Sequence, residues 1–191
     1  MSAALTVGVL AVQGAFAEHR DALLRAGANP REIRGPRELD GIDALILPGG
    51  ESTAQGRLLR ELGLFEPISK MIADGLPVFG TCAGMILLAK NIENDVRRHF
   101  VAMDITVRRN GYGRQLASFV TRGRFARHDG VEMVFIRAPY ITAAGPDVEI
   151  LAEIDGRAVA AREGRMLAAA FHPEMTPDLR VLEYFLDMAR A

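Results

Sequence analysis

The feature that most narrows the fold is a recurring pattern in which a short apolar run stops at glycine and a helical segment follows. Leu5 to Val12 (LTVGVLAV) ends at Gln13-Gly14, and Glu18 to Ala26 then carries apolar residues at helical spacing until Gly27. Ala44 to Leu47 (ALIL) closes at Pro48-Gly49-Gly50, before helical patterns over about Ala54 to Glu61 and Phe65 to Ala73. Pro77 to Phe79 enters Gly80, and Met85 to Lys90 reads as helix again. Short apolar runs alternating with helices predict a mostly parallel sheet covered on both faces.

The second half of the chain changes character. Strands are expected at Ala102 to Val107, Met133 to Ile136, Glu149 to Glu153, Ala158 to Ala161 and Met166 to Phe171. The turns Asp155-Gly156 and Glu163-Gly164 suggest hairpins among the last three. A final helix, about Pro177 to Ala189, sets Leu179, Leu182, Phe185 and Leu186 on one side. With no internal repeat, low-complexity tract or linker, the expectation is one α/β domain over residues 1–191. It has three layers: helices on both faces of a mixed, mostly parallel central sheet.

Composition removes several classes of function. The 23 basic and 24 acidic residues leave a formal charge of −1, which argues against nucleic acid or an anionic membrane as partner. A single cysteine excludes an intrachain disulfide framework and a four-cysteine metal site, and fits a reducing compartment. The opening MSAALTVGVLAVQGAF has no basic segment ahead of its apolar run, and no run reaches the roughly 18 apolar residues of a membrane span. The expected location is the cytoplasm.

That cysteine is Cys82, in Gly80-Thr81-Cys82-Ala83-Gly84 between a strand-like and a helix-like run. In such a turn the flanking glycines relieve crowding, the side chain projects outward, and the helix N-terminus favours a thiolate. The N–H of Ala83 would face the oxygen of an attacked carbonyl. Burial as a small hydrophobe is the competing reading. Among His19, His99, His128 and His172, only His172 closes a strongly apolar run, where sheet-based enzymes carry catalytic side chains. His172 and Glu174 flank Pro173 and share a side in extended chain, so Glu174 can hold one imidazole nitrogen while the other faces the thiol. A zinc site drawn from the same residues has no spacing signature. The loop Pro48 to Thr53 follows another strand and offers close backbone approach, so it can complete an oxyanion hole with Ala83. It lacks the lysine of a phosphate loop.

At this point the chain resembles the class I (triad) glutamine amidotransferases, and within them the glutaminase subunits of pyridoxal 5'-phosphate synthase. The blocks that carry the resemblance are GVLAVQGAFAEH, LPGGEST, FGTCAGMILLA, VRRNGYGRQ, FIRAP and AAFHPE, spread over nearly the whole chain. The resemblance implies a Cys82 nucleophile, a His172 base, Glu174 orienting it, and an oxyanion hole from Gly50 and Ala83. It places the glutamine site at Gly49, Gly50, Glu51, Arg109, Ile136 and Arg137, and gives Gln13 a part in activation or partner contact. His19, on a helix nearby, reads as structural or interfacial. The implied substrate is L-glutamine, no cofactor or metal is needed, and the partner is a synthase subunit in a ring with roughly twelve copies of each chain. Tyr112, Val120 and the segment from Asn91 to Phe100 depart from the family pattern and bear on docking. The alternatives are a subunit of another biosynthetic amidotransferase, a silent regulatory subunit of the same fold, and a related thiol hydrolase.

Overall fold

Val7, Val9 and Leu10 have no solvent exposure, as expected of a strand sandwiched between layers. They belong to β1 (Thr6–Leu10), which leads through α1 (Phe16–Arg25) to β2 (Asn29–Ile33). The structure is a computed structural model and describes residues 4–112 and 118–191. After β2 come β3 (Ala44–Leu47), α2 (Ser52–Glu61), α3 (Phe65–Ala73), β4 (Val78–Thr81) and α4 (Ala83–Leu88). Every residue of β3 and β4 is buried, which explains their unbroken apolar character.

β2 pairs with β1, β1 with β3, and β3 with β4, all in parallel. The chain therefore leaves β1 toward one side and returns on the other. Such a reversal opens a crevice beyond the C-terminal ends of the strands. Side chains of β4 show the layers on either side. Phe79 packs on Phe185 and edge-on to His19, whereas a Cβ on neighbouring Gly80 would meet Gly84 and Leu88 of α4.

The sheet continues through the second half. β5 (Ala89–Ile92) and β6 (Met103–Arg108) form a parallel pair at the far edge. β7 (Ser118–Phe125) and β8 (His128–Ile136) make a separate antiparallel ribbon. β9 (Tyr140–Ala144) pairs with β6, while β10 (Glu149–Ile154), β11 (Arg157–Glu163) and β12 (Met166–Ala169) form the two expected hairpins. β12 then lies parallel to β4 and completes a ten-stranded mixed sheet among the described residues. α5 (Arg180–Arg190) buries Leu182, Phe185 and Leu186 along one stripe. No helix among the described residues is long and apolar enough to cross a membrane.

The observed elements differ from expectation where polarity or context overrides pattern. The helix expected to reach Lys90 stops at Leu88, because Ala89 is extended (φ −60°, ψ 139°) and enters β5. The strand expected to reach Phe171 ends at Ala169, and the buried Ala170-Phe171 segment carries the chain on to His172.

Candidate active site

Four segments leave the C-terminal ends of β1, β3, β4 and β12 and converge on one crevice. At the β4–α4 junction Cys82 has φ 48° and ψ −102°, a backbone region that side chains with a Cβ rarely occupy. Its N–H donates to the Ala169 carbonyl at 2.7 Å, and its carbonyl accepts from Ile86 N–H at 3.3 Å, so the strained turn is tied on both sides. A Cβ on Gly80 would lie 2.5 Å from the Gly84 carbonyl oxygen, and one on Gly84 would lie 1.9 Å from that of Leu47. The two glycines of the pentapeptide thus let β3, β4 and α4 touch backbone to backbone. The same closeness leaves Cys82 only 7 % exposed, facing the crevice with its Sγ 4.0 Å from the Ile136 carbonyl oxygen.

His172 follows β12, and its N–H donates to the Val134 carbonyl of β8 at 2.8 Å. Its Nδ1 lies 2.7 Å from Glu174 Oε1, and its ring shares the crevice with Cys82, both lying against Gly49. Burial works against a charge on this ring, but the hydrogen bonds to Cys82 and Glu174 outweigh it and push its pKa up to about 10. Burial would likewise raise the Glu174 carboxyl, yet His19 and His172 hold it below the ordinary value. The Gly49 backbone presses on this pair, since a Cβ there would come 2.4 Å from His172 Cε1 and 3.4 Å from Cys82 Cβ.

The loop after β3 is braced by the segment that follows β1. Ala15 N–H donates to the Gly49 carbonyl at 3.0 Å, and Glu51 N–H donates to Gln13 Oε1 at 2.9 Å. Gln55, fully buried, donates to the carbonyls of Gln13 and Pro48, each at 3.1 Å. In a planar trans peptide the N–H of Gly50 opposes the Gly49 carbonyl, so it faces away from the α1 loop. Ala83 N–H is the first of α4 and has no intrahelical acceptor.

Polar groups ring the mouth of a cavity of about 370 Å³. Every sequence-derived candidate except Glu174 lines it; Glu174 stands behind His172. Glu51 caps α2 by accepting from Thr53 and Ala54 N–H at 3.1 and 2.7 Å. Burial pushes its carboxyl up, but these two N–H groups and Arg109 prevail and lower it. Arg109 reaches Glu51 at 3.1 Å and Asp95 at 2.7 Å. Arg137 is exposed at the rim with φ 45°. A wider depression of about 930 Å³ lies between β10, α5 and the β7–β8 turn, but its lining includes no cysteine, serine or threonine.

A thiol, an imidazole braced by a buried carboxylate, and a helix-start amide beside them form the equipment of acyl transfer. The family model described as SNO glutamine amidotransferase family matches residues 9–191. This chain belongs to that family. The chain is 52 % identical over 188 residues to a protein of Bifidobacterium longum (strain NCC 2705) named pyridoxal 5'-phosphate synthase subunit PdxT, covering 95 % of this chain and 99 % of that one. Its counterpart of the same name in Ruminiclostridium cellulolyticum (strain ATCC 35319 / DSM 5812 / JCM 6584 / H10) is 51 % identical over 185 residues, covering 95 % and 98 %. A solved structure described as a glutamine amidotransferase superposes with TM-score 0.92 at 43 % identity, covering 97 % of this chain and 99 % of that chain.

Within this glutamine amidotransferase site some residues had no local signal. His19 is buried and lies 3.4 Å from Glu174, which fits the structural reading of it and sets it beside the crevice. Asn94 and Asp95 lie in the segment singled out as atypical. The Asn94 side chain pairs with both the N–H and the carbonyl of Arg109, at 3.1 and 3.2 Å. Tyr112 packs against Phe119, Phe135 and Tyr140, and Val120 is an exposed residue of β7. Gly113, Arg114 and Gln115 of the VRRNGYGRQ block lie outside the described residues.

Proposed function

We propose that this chain is the glutaminase subunit of a pyridoxal 5'-phosphate synthase, with residues 1–191 acting as one glutaminase domain. It hydrolyses L-glutamine to L-glutamate and ammonia and passes the ammonia to the synthase subunit. The observation that carries the reading is the meeting of Cys82 and His172 in one crevice, with the 2.7 Å hydrogen bond from His172 to the buried Glu174 behind the imidazole.

Cys82 sulfur, its proton held on His172, attacks the side-chain amide carbon of glutamine, and the carbonyl electrons move onto oxygen, toward the N–H groups of Gly50 and Ala83. The raised pKa of His172 makes it a proton donor at neutral pH. Its proton goes to the departing nitrogen as the C–N bond breaks, leaving a thioester. Water then adds to that carbonyl, His172 takes the water proton, and the C–S bond breaks to release glutamate. We assign the substrate's α-carboxylate to Arg109 with Arg137, its α-ammonium to Glu51, and the neighbouring backbone contacts to Gly49, Gly50 and Ile136. No metal or cofactor enters any step.

Gln13 donates no proton in this scheme. It braces Glu51 N–H, and we place it at the face that meets the synthase subunit, in a ring of roughly twelve copies of each chain. A nucleophilic thiol has to stay reduced, which favours the cytoplasm.

The test is ammonia release from L-glutamine by the chain alone and with its synthase subunit, each beside Cys82→Ala. Partner-stimulated release that disappears in Cys82→Ala is the expected result. No release from a proven complex of folded proteins would overturn the assignment.

A further inference from the structure

The His172–Glu174 pair does not end at the carboxylate. Glu174 Oε2 is buried and accepts no hydrogen bond, and His19 Nε2 lies 3.4 Å from it. The same nitrogen is 3.0 Å from Thr81 Oγ1, and Thr81 directly precedes Cys82. The side chains of His19, Thr81 and Glu174 are almost wholly closed to solvent. A ring of contacts thus runs from Thr81 through His19, Glu174 and His172 to Cys82, the next residue in the chain.

A carboxylate oxygen in such a place needs a donor, because an unpaired buried acceptor costs free energy. Among the described residues His19 is the side chain that reaches toward Oε2, and its hydrogen atom therefore belongs on Nε2. Three titratable groups act on the ring: Glu174 and Glu18 favour its protonation, and His172 opposes it. Burial is the largest influence and lowers the pKa of His19, so the neutral ring is favoured and the contact sets an imidazole N–H beside a carboxylate oxygen that has no formed hydrogen bond. At 3.4 Å the contact falls short of a formed hydrogen bond, and such bonds in unliganded sites often tighten only when substrate binds.

We infer that His19 is a positioning residue for the reaction: its Nε2–H holds the second oxygen of Glu174, and so fixes the plane in which the first oxygen orients His172. The inference rests on the glutaminase reading above. It also gives α1 a task. The helix begins at Phe16, just after the loop whose Ala15 N–H holds the Gly49 carbonyl, so one element braces the oxyanion loop and the triad carboxylate together.

The experiment compares steady-state ammonia release by wild type, His19→Leu, His19→Gln and Thr81→Val, each in complex with the synthase subunit. In parallel, the His172 Nδ1–H proton resonance is followed by NMR on the isolated chain. His19→Leu removes the donor and should lower kcat roughly 10- to 100-fold with KM for glutamine little changed. It should also broaden the resonance. His19→Gln returns an N–H near the same point and should recover most of both. Thr81→Val removes the competing acceptor, leaves the His19 donor to Glu174, and should keep the resonance sharp.

A His19→Leu enzyme with wild-type kcat and an unchanged resonance overturns the inference. So does Thr81→Val behaving like His19→Leu, because the task of His19 would then be to hold Thr81. If His19→Leu does not fold, equal failure of His19→Gln to support turnover while folded overturns it too. An inactive wild-type complex overturns the glutaminase reading and the inference with it, a result distinct from an active wild type beside an equally active His19→Leu.

Discussion

Asp95 Oδ2 lies 2.7 Å from Arg109 Nη1, and the Asp95 side chain is only 9 % exposed. Hydrogen bonds from Arg97 and Arg109 overcome burial and hold this carboxyl far below the usual range, so it is an anion at any working pH. Asn94 clasps the Arg109 backbone at the same time. The segment whose sequence departs most from the family pattern therefore sets the position of the proposed carboxylate anchor.

Asp95→Asn is expected to raise KM for glutamine about 3- to 30-fold with kcat nearly intact, since the lost interaction acts on binding and not on the reacting atoms. Steady-state kinetics of the complex checks this. A fall in kcat at constant KM would remove Arg109 from the substrate site.

Gly49→Ala places a methyl group 2.4 Å from His172 Cε1 and 3.0 Å from Nδ1. The ring cannot swing aside without breaking its 2.7 Å bond to Glu174. Turnover should fall by at least about 100-fold with the fold kept. Ammonia release together with circular dichroism reads both halves of the prediction, and an active Gly49→Ala enzyme would contradict it.

Cys82 holds a backbone shape suited to glycine. Cys82→Gly and Cys82→Ala should both be inactive, but Cys82→Gly should be the more stable by about 1 kcal/mol in urea denaturation, because it relieves the positive φ. Equal stability would mean that the turn carries no strain.

The buried pair also predicts how stability depends on pH. The His172 pKa rises from 6.5 to about 10 on folding, so its contribution is full below pH 6.5 and is lost as pH climbs toward 10. Glu174 is depressed below 4.5, so its contribution is present above that pH and lost as pH falls. Both act together between about pH 5 and 6.5. Denaturation midpoints should decline from there toward pH 10 in the wild type and more gently in His172→Gln. Parallel curves would show that this pair does not govern the alkaline limb.

Most of the parallel core was legible from the chain itself. Ala44–Leu47 and Phe65–Ala73 are observed at the boundaries expected of them, because unbroken burial and a clean helical stripe are local properties. β2 was not legible. Asn29-Pro30-Arg31-Glu32 is polar and carries a proline, as suits an edge strand paired on one side only. β5, β7 and β9 were missed as strands for a related reason: each shows a solvent-facing side, and its pairing is set by distant partners. At the site, Cys82 and its glycines announce themselves within five residues, and the His172–Glu174 spacing does so within three. His19 and Asp95 do not, because nothing near them in the chain records the carboxylate or the guanidinium that each one meets.

The floor of the crevice leaves little room for inheritance to experiment. A Cβ on Gly14 would sit 1.9 Å from the Gly49 carbonyl oxygen, one on Gly49 2.4 Å from His172 Cε1, and one on Gly84 1.9 Å from the Leu47 carbonyl oxygen. Three of the positions nearest the chemistry therefore accept no side chain at all, and a change in what the enzyme accepts must be made at the rim. Glu51, Arg109 and Arg137 are where a lineage, or an engineer, can turn the same machinery toward a different amide.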